Sequence, residues 1–493
     1  MLLSCNLPPA AAAPVASPSP ATLERYAVRA ESWGSLFYQL DCLAGQGYCS
    51  ESSYRALWQS LGWTAADDLR IEAWQKLRQR YERQIQLSSP AAGYPLPPRF
   101  DGIRFWDKVR QASFNARDRQ ELAQNLAAVL RPADAEQLMS LLAGFETRFR
   151  GWWNTKGQGL GAAGAEAFKA LLAQPELPAL IEQASRFYRA RLSPWSVLAF
   201  NFIPRPDLGD GNLNGEQVEN QSLIEVKENS SPTSNLDVSL HEFSHYHYAR
   251  ASQEDELLLI QRFAEQGTPE AIAAYNLLNE VLATAIGNGL FNRLLMGPAR
   301  FSRYLQQPGS FYNDAFIDPL AKAVYPRVEA ALLQGEAVNA PGFVRDYLQL
   351  ASQTLGDRLR GPVPLLRTMA AAYEGQDLAP VLSQLQRRMR VGSVWSANAL
   401  DATARNSFER FASLSGVLLL KPEQLPRLKE WEGLLGSQAV SQIQSQPDAA
   451  FVFGLRRGLN AWIFVIVAPD VQAMNAQVER LAAAGKLFEG SLP

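Results

Sequence analysis

Three histidines with the spacing of a metal site lie within seven consecutive positions, and the sequence contains no others. On a helix, residues four apart share one face, so His241 and His245 can direct imidazole nitrogens at the same ion. His247 stands two residues after His245 and would point away from that face. Glu242 could act on a water held by the metal without binding the ion itself. The pattern H-E-x-x-H therefore predicts a zinc site on a helix, with structural histidines and no metal as the alternative.

A zinc site needs a further protein ligand, and the position of that ligand separates the classes of HExxH protein. One class continues the motif with a glycine and a third histidine, but here Tyr248 and Ala251 stand at those positions. A thiolate is not expected either, because the three cysteines all lie near the N-terminus. The third ligand should therefore be a carboxylate.

Glu280 is the best candidate for this carboxylate, because it lies in a segment with the pattern of a helix. Thr268 can cap the start of this helix, and Pro269 suits its first turn. The neighbours on the same face are mostly small and leave room for an ion, and they are Ala273, Asn276, Ala283, Thr284 and Gly287. Weaker candidates stand in the connecting stretch, namely Glu254, Glu256 and Glu265. An ordinary solvent-facing glutamate is the alternative for Glu280.

These residues resemble the gluzincin group of zinc metallopeptidases, in which HExxH is followed by a helix carrying Asn-Glu-x-x-Ala or a similar motif. Here the second motif is Asn279-Glu280-Val281-Leu282-Ala283. Carried over by position, the resemblance implies the zinc ligands His241, His245 and Glu280, with Glu242 as general base. It covers residues 222–285 and no other part of the chain.

One position departs from the gluzincin pattern. Many members carry an aspartate four residues after the third ligand, where it holds a ligand histidine, but this chain has Thr284 there. The sequence therefore leaves the partner of the ligand histidines unassigned, with Asp237 as a candidate.

A stretch of alternating apolar and charged residues, 222–228, precedes the HExxH motif and has the pattern of a strand. In gluzincins a strand in this location is often the sheet edge that pairs with an extended substrate. The resemblance thus implies that a peptide or protein substrate binds along residues 222–228 by strand addition. A plain structural strand is the alternative. Another strand is predicted over residues 196–203, with a loop over 204–215.

A side chain that donates to the oxyanion is also expected, since peptide hydrolysis places negative charge on the carbonyl oxygen. With no further histidine on the metal face, the donor should be tyrosine or arginine. Tyr312 and Tyr325 are the nearest downstream tyrosines in a patterned segment. We favour Tyr325 because a helix is predicted to begin near Asp318. Either tyrosine could instead be an ordinary packing residue.

The composition excludes some other classes of protein. A net charge of −2 and the lack of a basic block give no reason to expect nucleic-acid binding. No apolar stretch reaches the roughly 18 residues that a membrane-spanning helix requires.

The N-terminus has features of an exported bacterial protein. Cys5 follows small and leucine residues, as in a lipoprotein signal, and residues 8–22 are rich in Ala, Pro and Ser like a tether. We therefore expect a periplasmic or outer-membrane lipoprotein with a lipid anchor at Cys5, or a secreted protein, with an accidental resemblance to a lipoprotein signal as the alternative. Cys42 and Cys49 bracket a Gly-containing turn and could form a disulfide in an oxidising compartment, or remain free thiols.

We predict an α+β protein that is mainly helical, with a zincin-like catalytic domain containing a small sheet and the HExxH helix. The four predicted regions are a tether over 1–22, a helical N-terminal region over 23–190, the zincin-like domain over 191–405 and a two-layer α/β domain over 406–493. The predicted function is that of a zinc-dependent hydrolase, foremost a metallopeptidase, with one Zn²⁺ per chain. The alternative is a non-catalytic metal-binding or interaction protein of the cell envelope.

Overall fold

A computed structural model describes most of the protein, with gaps at both ends and in several internal segments. The described residues are 25–45, 49–81, 94, 105–193, 196–208, 214–231, 233, 236–268, 270–410, 412, 414–446, 449–458 and 460–492. This part of the chain is mostly helical and contains two mixed sheets, so the predicted α+β class is confirmed. Within these ranges, no helix has the length and hydropathy of a membrane span. Cys5 and the predicted tether over 1–22 lie outside the described residues.

The first sheet has four strands. They are β1 Tyr26–Arg29, β2 Leu198–Arg205, β3 Gly215–Val218 and β4 Gln221–Lys227. Their order is β1–β2–β4–β3, in which β1, β2 and β4 are parallel and β3 is antiparallel to β4. A tight turn joins β3 to β4, and in it Glu219 takes a left-handed φ of 52°.

The prediction that residues 222–228 form a free sheet edge is wrong. Strand β4 pairs with β2 along one side and with β3 along the other, so that Ile224 faces both Phe202 and Gly215. Among the described strands, β3 is the outer one on this side. The sequence interpretation placed its residues in and beside a loop, because a glycine and two polar residues in four are poor strand formers.

Helices of the N-terminal region cover one face of this sheet. They are α1 Ser32–Leu43, α2 Glu51–Ser60, α3 Ala65–Gln79, α4 Phe105–Phe114, α5 Arg119–Val129 and α6 Pro132–Trp152. Their apolar side chains form one cluster with Ile203, Val218 and Leu223 of the sheet. Cys42 and Cys49 form a disulfide with a Cα–Cα distance of 5.9 Å. The region 23–190, predicted to be mainly helical, also contains a strand at its start, since residues 26–29 pair with β2.

The opposite face of the first sheet is covered by the helices that follow. A π-helix, Trp153–Gly157, comes first, and its Trp153 still belongs to the cluster of the N-terminal helices. The helices after it are α7 Gln158–Leu172, α8 Glu176–Phe187, α9 Leu236–Ala249, α10 Gln253–Ala264, α11 Ala271–Thr284, a second π-helix Ala285–Phe291, α12 Asn292–Met296, α13 Pro298–Gln306, α14 Ile317–Gln334 and α15 Pro341–Leu355. Phe200, Phe202, Ile224 and Val226 join the large apolar cluster on this side. Because side chains alternate along a strand, the sheet is buried on both faces.

The second sheet is preceded by a 3₁₀-helix, Gly356–Arg360, and α16 Pro362–Leu365. Its elements are β5 Thr368–Tyr373, a 3₁₀ turn Gln376–Leu378, α17 Ala379–Met389, β6 Ser393–Ala397, α18 Ala402–Arg410, β7 Ser415–Leu420, a 3₁₀-helix Pro422–Trp431, α19 Glu432–Leu435, α20 Ser437–Gln444, β8 Phe451–Arg457, β9 Ala461–Val467, α21 Val471–Ala483 and β10 Gly490–Ser491. The strand order is β10–β8–β9–β7–β5–β6.

This second unit differs from the prediction in its start and in its layers. The sheet begins at Thr368, so it includes two strands from the range 191–405. Alternate strand residues belong to two apolar clusters, one with α18 and α20 and the other with α17 and α21, which makes three layers and not two. The Ala-rich sequence of β5 explains the miss, because alanine favours helices and is depleted in strands.

Candidate metal centre

Helix α9 carries the HExxH residues between the first sheet and the second π-helix. His241 and His245 lie one turn apart on it, as residues four apart must. Their Nε2 atoms face each other at 3.2 Å, and their rings are nearly perpendicular. His247 lies on another side of the helix, where it is fully buried and packs against Phe243 and Tyr188.

Glu280 on α11 completes a cluster with these two histidines. Its Oε1 lies 3.4 Å from His245 Nε2, and its Oε2 lies 3.6 Å from His241 Nε2. Ligands about 2.0–2.1 Å from a tetrahedral zinc ion are roughly 3.3 Å apart, so all three separations suit one ion. Glu280 Oε2 is also buried and has no hydrogen-bond partner among the described residues. The donor set and its spacing therefore fit zinc.

The second nitrogen of each histidine is held by an asparagine. His241 Nδ1 lies 3.1 Å from Asn288 Oδ1, and His245 Nδ1 lies 3.1 Å from Asn279 Oδ1. Asn288 Nδ2 donates to Asp237 at 2.7 Å, and a carboxylate can only accept, so the amide oxygen of Asn288 must face His241. An amide oxygen accepts a hydrogen bond from the protonated Nδ1, which leaves the lone pair of Nε2 directed at the cluster.

Asp237 thus lies one step further from the histidines than the sequence suggested, because it contacts Asn288 and not His241 itself. It also accepts a hydrogen bond from Asn292 at 3.0 Å and so fixes two asparagines of the helix that continues from α11. Thr284 occupies the position of the aspartate in the gluzincin pattern, but its buried hydroxyl has no hydrogen-bond partner in the described part of the chain. The residue that contacts His241 here is Asn288, which lies one turn after Thr284.

The π-helix that follows α11 brings Asn288 to this place. Its wider turn contacts α9, and Gly287 lies directly against the backbone of His241. A Cβ at Gly287 would lie 2.5 Å from the His241 nitrogen and 2.8 Å from its Cα, so only glycine fits. Single π turns inside helices are frequent at functional sites. The sequence signal was the run Gly287-Asn288-Gly289, which sequence reasoning did not interpret.

The charges around Glu280 keep it ionised. Burial alone would raise its pKa, but the neighbouring His245 and His241 and the more distant Arg367 outweigh this and lower the pKa to about 2. Glu280 is therefore a carboxylate at neutral pH, the form that binds a metal ion.

Glu242 lies beside the cluster, under strand β3. Burial raises its pKa to about 7, while its nearest charges, His245 and Glu280, act in opposite directions. The main-chain N–H of Gln217 on β3 acts against burial and lowers the pKa in part. A Cβ at Gly215 would lie 2.1 Å from Val238 Cγ1 and 3.1 Å from Glu242 Oε1, so this glycine permits the close approach.

The two candidate tyrosines occupy different environments. Tyr312 stacks on His241 with 5.5 Å between ring centroids and 9° between ring planes. The charge of Glu280, followed by burial, raises the pKa of Tyr312 well above its ordinary value, so its hydroxyl stays protonated. Tyr325 packs instead against Phe301 and Phe311, with centroids 5.7 Å and 6.1 Å away. The structure therefore places Tyr312, and not the favoured Tyr325, at the cluster.

Comparisons of the chain with models of protein families, with curated proteins and with solved structures found no match.

Proposed function

We propose that the protein is a zinc-dependent hydrolase, and specifically a metallopeptidase with a gluzincin-like site. The observation that carries the proposal is the set of separations, 3.2, 3.4 and 3.6 Å, among the ligand atoms of His241, His245 and Glu280. Zinc at such a site would supply Lewis-acid activation of water and of a carbonyl oxygen. The remaining chemistry falls to side chains of the chain itself.

Glu242 is the proposed general base. It does not belong to the ligand cluster but lies one residue from His241, and burial brings its pKa to about 7. A carboxyl group with a pKa near neutrality can accept a proton from the attacking water and return it to the leaving amine.

Tyr312 is the proposed oxyanion donor. Its ring orientation is fixed by stacking on His241, and its raised pKa keeps the hydroxyl proton available to donate. Preorganised donors of this kind typically contribute about 10²- to 10³-fold to turnover.

Strand β3 is the proposed binding edge for an extended substrate. It is the outer strand of the first sheet among those described, and it runs past Glu242 through Gly215 and Gln217. A peptide that pairs with this edge would pass close to the general base, with affinity supplied by main-chain hydrogen bonds.

An oxidising compartment is part of the same proposal. The disulfide between Cys42 and Cys49 favours the periplasm or the cell exterior, since cytosolic proteins rarely keep structural disulfides.

Metal content tests the site. We expect one zinc per chain by elemental analysis in the native protein and its loss in His245→Ala and Glu280→Ala. Glu265→Ala is the matched control, because this glutamate is exposed, pairs with Arg262 and should not affect metal content. Absence of zinc from native protein supplied with the metal would refute the proposal. Retention by Glu280→Ala would assign the third ligand elsewhere.

Glu242→Gln tests the activity. The variant should keep its zinc and lose about 10²- to 10⁴-fold in the cleavage of a peptide library. Glu228→Gln is the control, because Glu228 follows β4 and pairs with Lys156, and this variant should cleave as the native protein does. A zinc-loaded native protein that cleaves no member of the library would instead favour a metal-binding protein without peptidase activity.

A further inference from the structure

The loop that carries Tyr312, residues 307–316, connects α13 to α14. Asp318 at the start of α14 holds its first half, because its carboxylate accepts the main-chain N–H groups of Gly309 at 3.0 Å, Phe311 at 2.9 Å and Tyr312 at 3.3 Å. The hydroxyl of Tyr304 also donates to the carbonyl of Ser310. Both residues that make these contacts belong to helices next to the loop, Tyr304 to α13 and Asp318 to α14.

The second half of the loop is held by arginines from later in the chain. Arg358 donates to the carbonyl of Ala315 at 2.7 Å, and Arg390, at the end of α17, donates to the carbonyl of Asn313 at 3.2 Å. Arg367, the residue directly before β5, donates to the carboxylate of Asp314 at 2.7 Å. The second unit therefore contacts the loop within three residues of the active-site tyrosine.

The pair of Arg367 and Asp314 is the most buried of these contacts, with 9% and 3% of the two side chains exposed. The other oxygen of Asp314 accepts the N–H groups of Phe316 and Ile317, at 2.8 and 3.0 Å, which ties the loop to the start of α14. A buried ion pair adds little net stability, because desolvation offsets its attraction, but it can fix one arrangement of the groups it joins. Here it joins the tyrosine loop to the six-stranded sheet.

We propose that Arg367 is a positioning residue, through which the six-stranded unit sets Tyr312 against His241. The inference rests on the proposed function only for its effect on catalysis; the placement of Tyr312 can be measured without metal or substrate. It also gives the second unit, whose own strands carry no catalytic motif, a role in the active site.

The test is ¹⁹F NMR of full-length protein labelled with 3-fluorotyrosine, in which Tyr312→Phe identifies one signal among the fifteen tyrosines. Arg367→Met should shift or broaden the Tyr312 signal, and Arg367→Lys should restore it in part. Since Arg367→Met leaves the buried Asp314 without its main partner, the double variant Arg367→Met/Asp314→Asn removes both charges and guards against misfolding. Arg327→Met is the matched control, because Arg327 pairs with Glu336 and Asp346 away from the loop.

Kinetics provide the second measurement once a substrate is found. Arg367→Met should lower kcat by about 10- to 100-fold with little change in KM, as expected for a misplaced group. Combined with Tyr312→Phe, it should cause no further loss. An unchanged Tyr312 signal in Arg367→Met and in Arg367→Met/Asp314→Asn would overturn the proposal, as would a further loss of kcat when Arg367→Met is added to Tyr312→Phe. If the native protein binds no zinc, the proposed function fails, yet the NMR signal still decides the position of Tyr312.

Discussion

The two sheets of the protein are built from strands of different character. Strand β4 of the first sheet is fully buried over most of its length and yet contains Gln221, Ser222 and Glu225. Strands β7 and β9 of the second sheet are almost entirely apolar, as is usual for parallel strands covered on both faces. The buried strand β4 of the first sheet thus contains more polar residues than the buried strands β7 and β9 of the second sheet.

The polar groups of the first sheet connect the N-terminal helices on one of its faces to the candidate site. Glu225 accepts hydrogen bonds from Ser50 Oγ at 2.6 Å, from Ser50 N at 3.2 Å and from Asn214 N at 3.1 Å. Asn214 immediately precedes Gly215, which touches Glu242. A buried polar network that is satisfied fixes a single arrangement. The comparison teaches that the first sheet reaches the candidate site through polar groups in its interior, while the second sheet contacts the Tyr312 loop through arginines at the ends of its elements.

The largest effect is expected when two glycines, one in each sheet, are replaced by alanine. At both positions an added Cβ would lie closer than 2.5 Å to a neighbouring side chain. Gly215→Ala should lower turnover by about 100-fold, because the new methyl group displaces Val238 and Glu242, and a displacement of 1 Å can cost that much. Gly416→Ala in β7 would meet Phe408 Cε1 at 2.4 Å and should cost about 1–3 kcal/mol of stability by overpacking, with turnover unchanged. Peptide cleavage measures the turnover of both variants, and urea unfolding measures their stability. Equal turnover in the two variants would remove the distinction between the sheets.

The next effect concerns the disulfide beneath the first sheet. Replacing Cys42 and Cys49 by serine should lower stability by about 2.5 kcal/mol, the chain-entropy value for so short a loop. Because Ser50 follows Cys49 and bonds Glu225, hydrogen exchange should quicken in β4 and β3. Amides of β7 and β9 serve as the internal control and should exchange at the native rate. Faster exchange in both sheets alike would mean that the two units unfold as one.

The residues of the candidate site could be predicted from sequence more fully than the elements that position them. His241 and His245 lie together because four-residue spacing on a helix fixes geometry locally, and Glu280 joins them from the helix on which the sequence placed it. What could not be predicted depends on contacts between distant segments. Strand β3 exists because it pairs with β4, and its own residues favour a loop.

The other features that could not be predicted also depend on contacts between distant segments. Asn288 reaches His241 only because a π turn changes the register of the helix after Glu280, and no periodicity in the sequence marks that change. Tyr312 was ranked below Tyr325 because a residue in a loop has no predictable direction, whereas helix α14 offered one. The placement of that loop depends on Asp318 and on arginines far along the chain.

A smaller effect is expected for the asparagine that holds His241. Asn288→Ala should weaken zinc binding by about 10- to 100-fold, as is usual when the partner of a ligand histidine is removed. Asn276→Ala on the same helix is the control, since Asn276 bonds the carbonyls of Pro364 and Leu365 and no ligand. Chelator competition measures both affinities. An unchanged zinc affinity in Asn288→Ala would mean that the backbone, through Gly287, is sufficient to place His241.

The smallest expected effect is the acid sensitivity of one buried ion pair among the helices that cover the first sheet. Asp67 at the start of α3 is fully buried and bonds both terminal nitrogens of Arg148, at 2.7 and 2.9 Å. Burial alone would raise its pKa, but the hydrogen bonds from Arg148 and Thr64 outweigh this and hold the pKa at about 2.

Because the folded pKa of Asp67 is below the unfolded value of about 4, its contribution to stability is complete above pH 4 and is lost as the pH falls toward 2. Asp67→Asn should therefore be less stable than the native protein at pH 7, and the difference should vanish near pH 2. In the second unit, Asp377 pairs with Lys421 but is half exposed, so Asp377→Asn should change stability little at any pH. Urea unfolding between pH 2 and 7 measures both variants. If Asp377→Asn showed the same pH dependence as Asp67→Asn, burial of the carboxylate would not explain the acid sensitivity. The difference between the interiors of the two sheets would then not apply to the ion pairs of the two units.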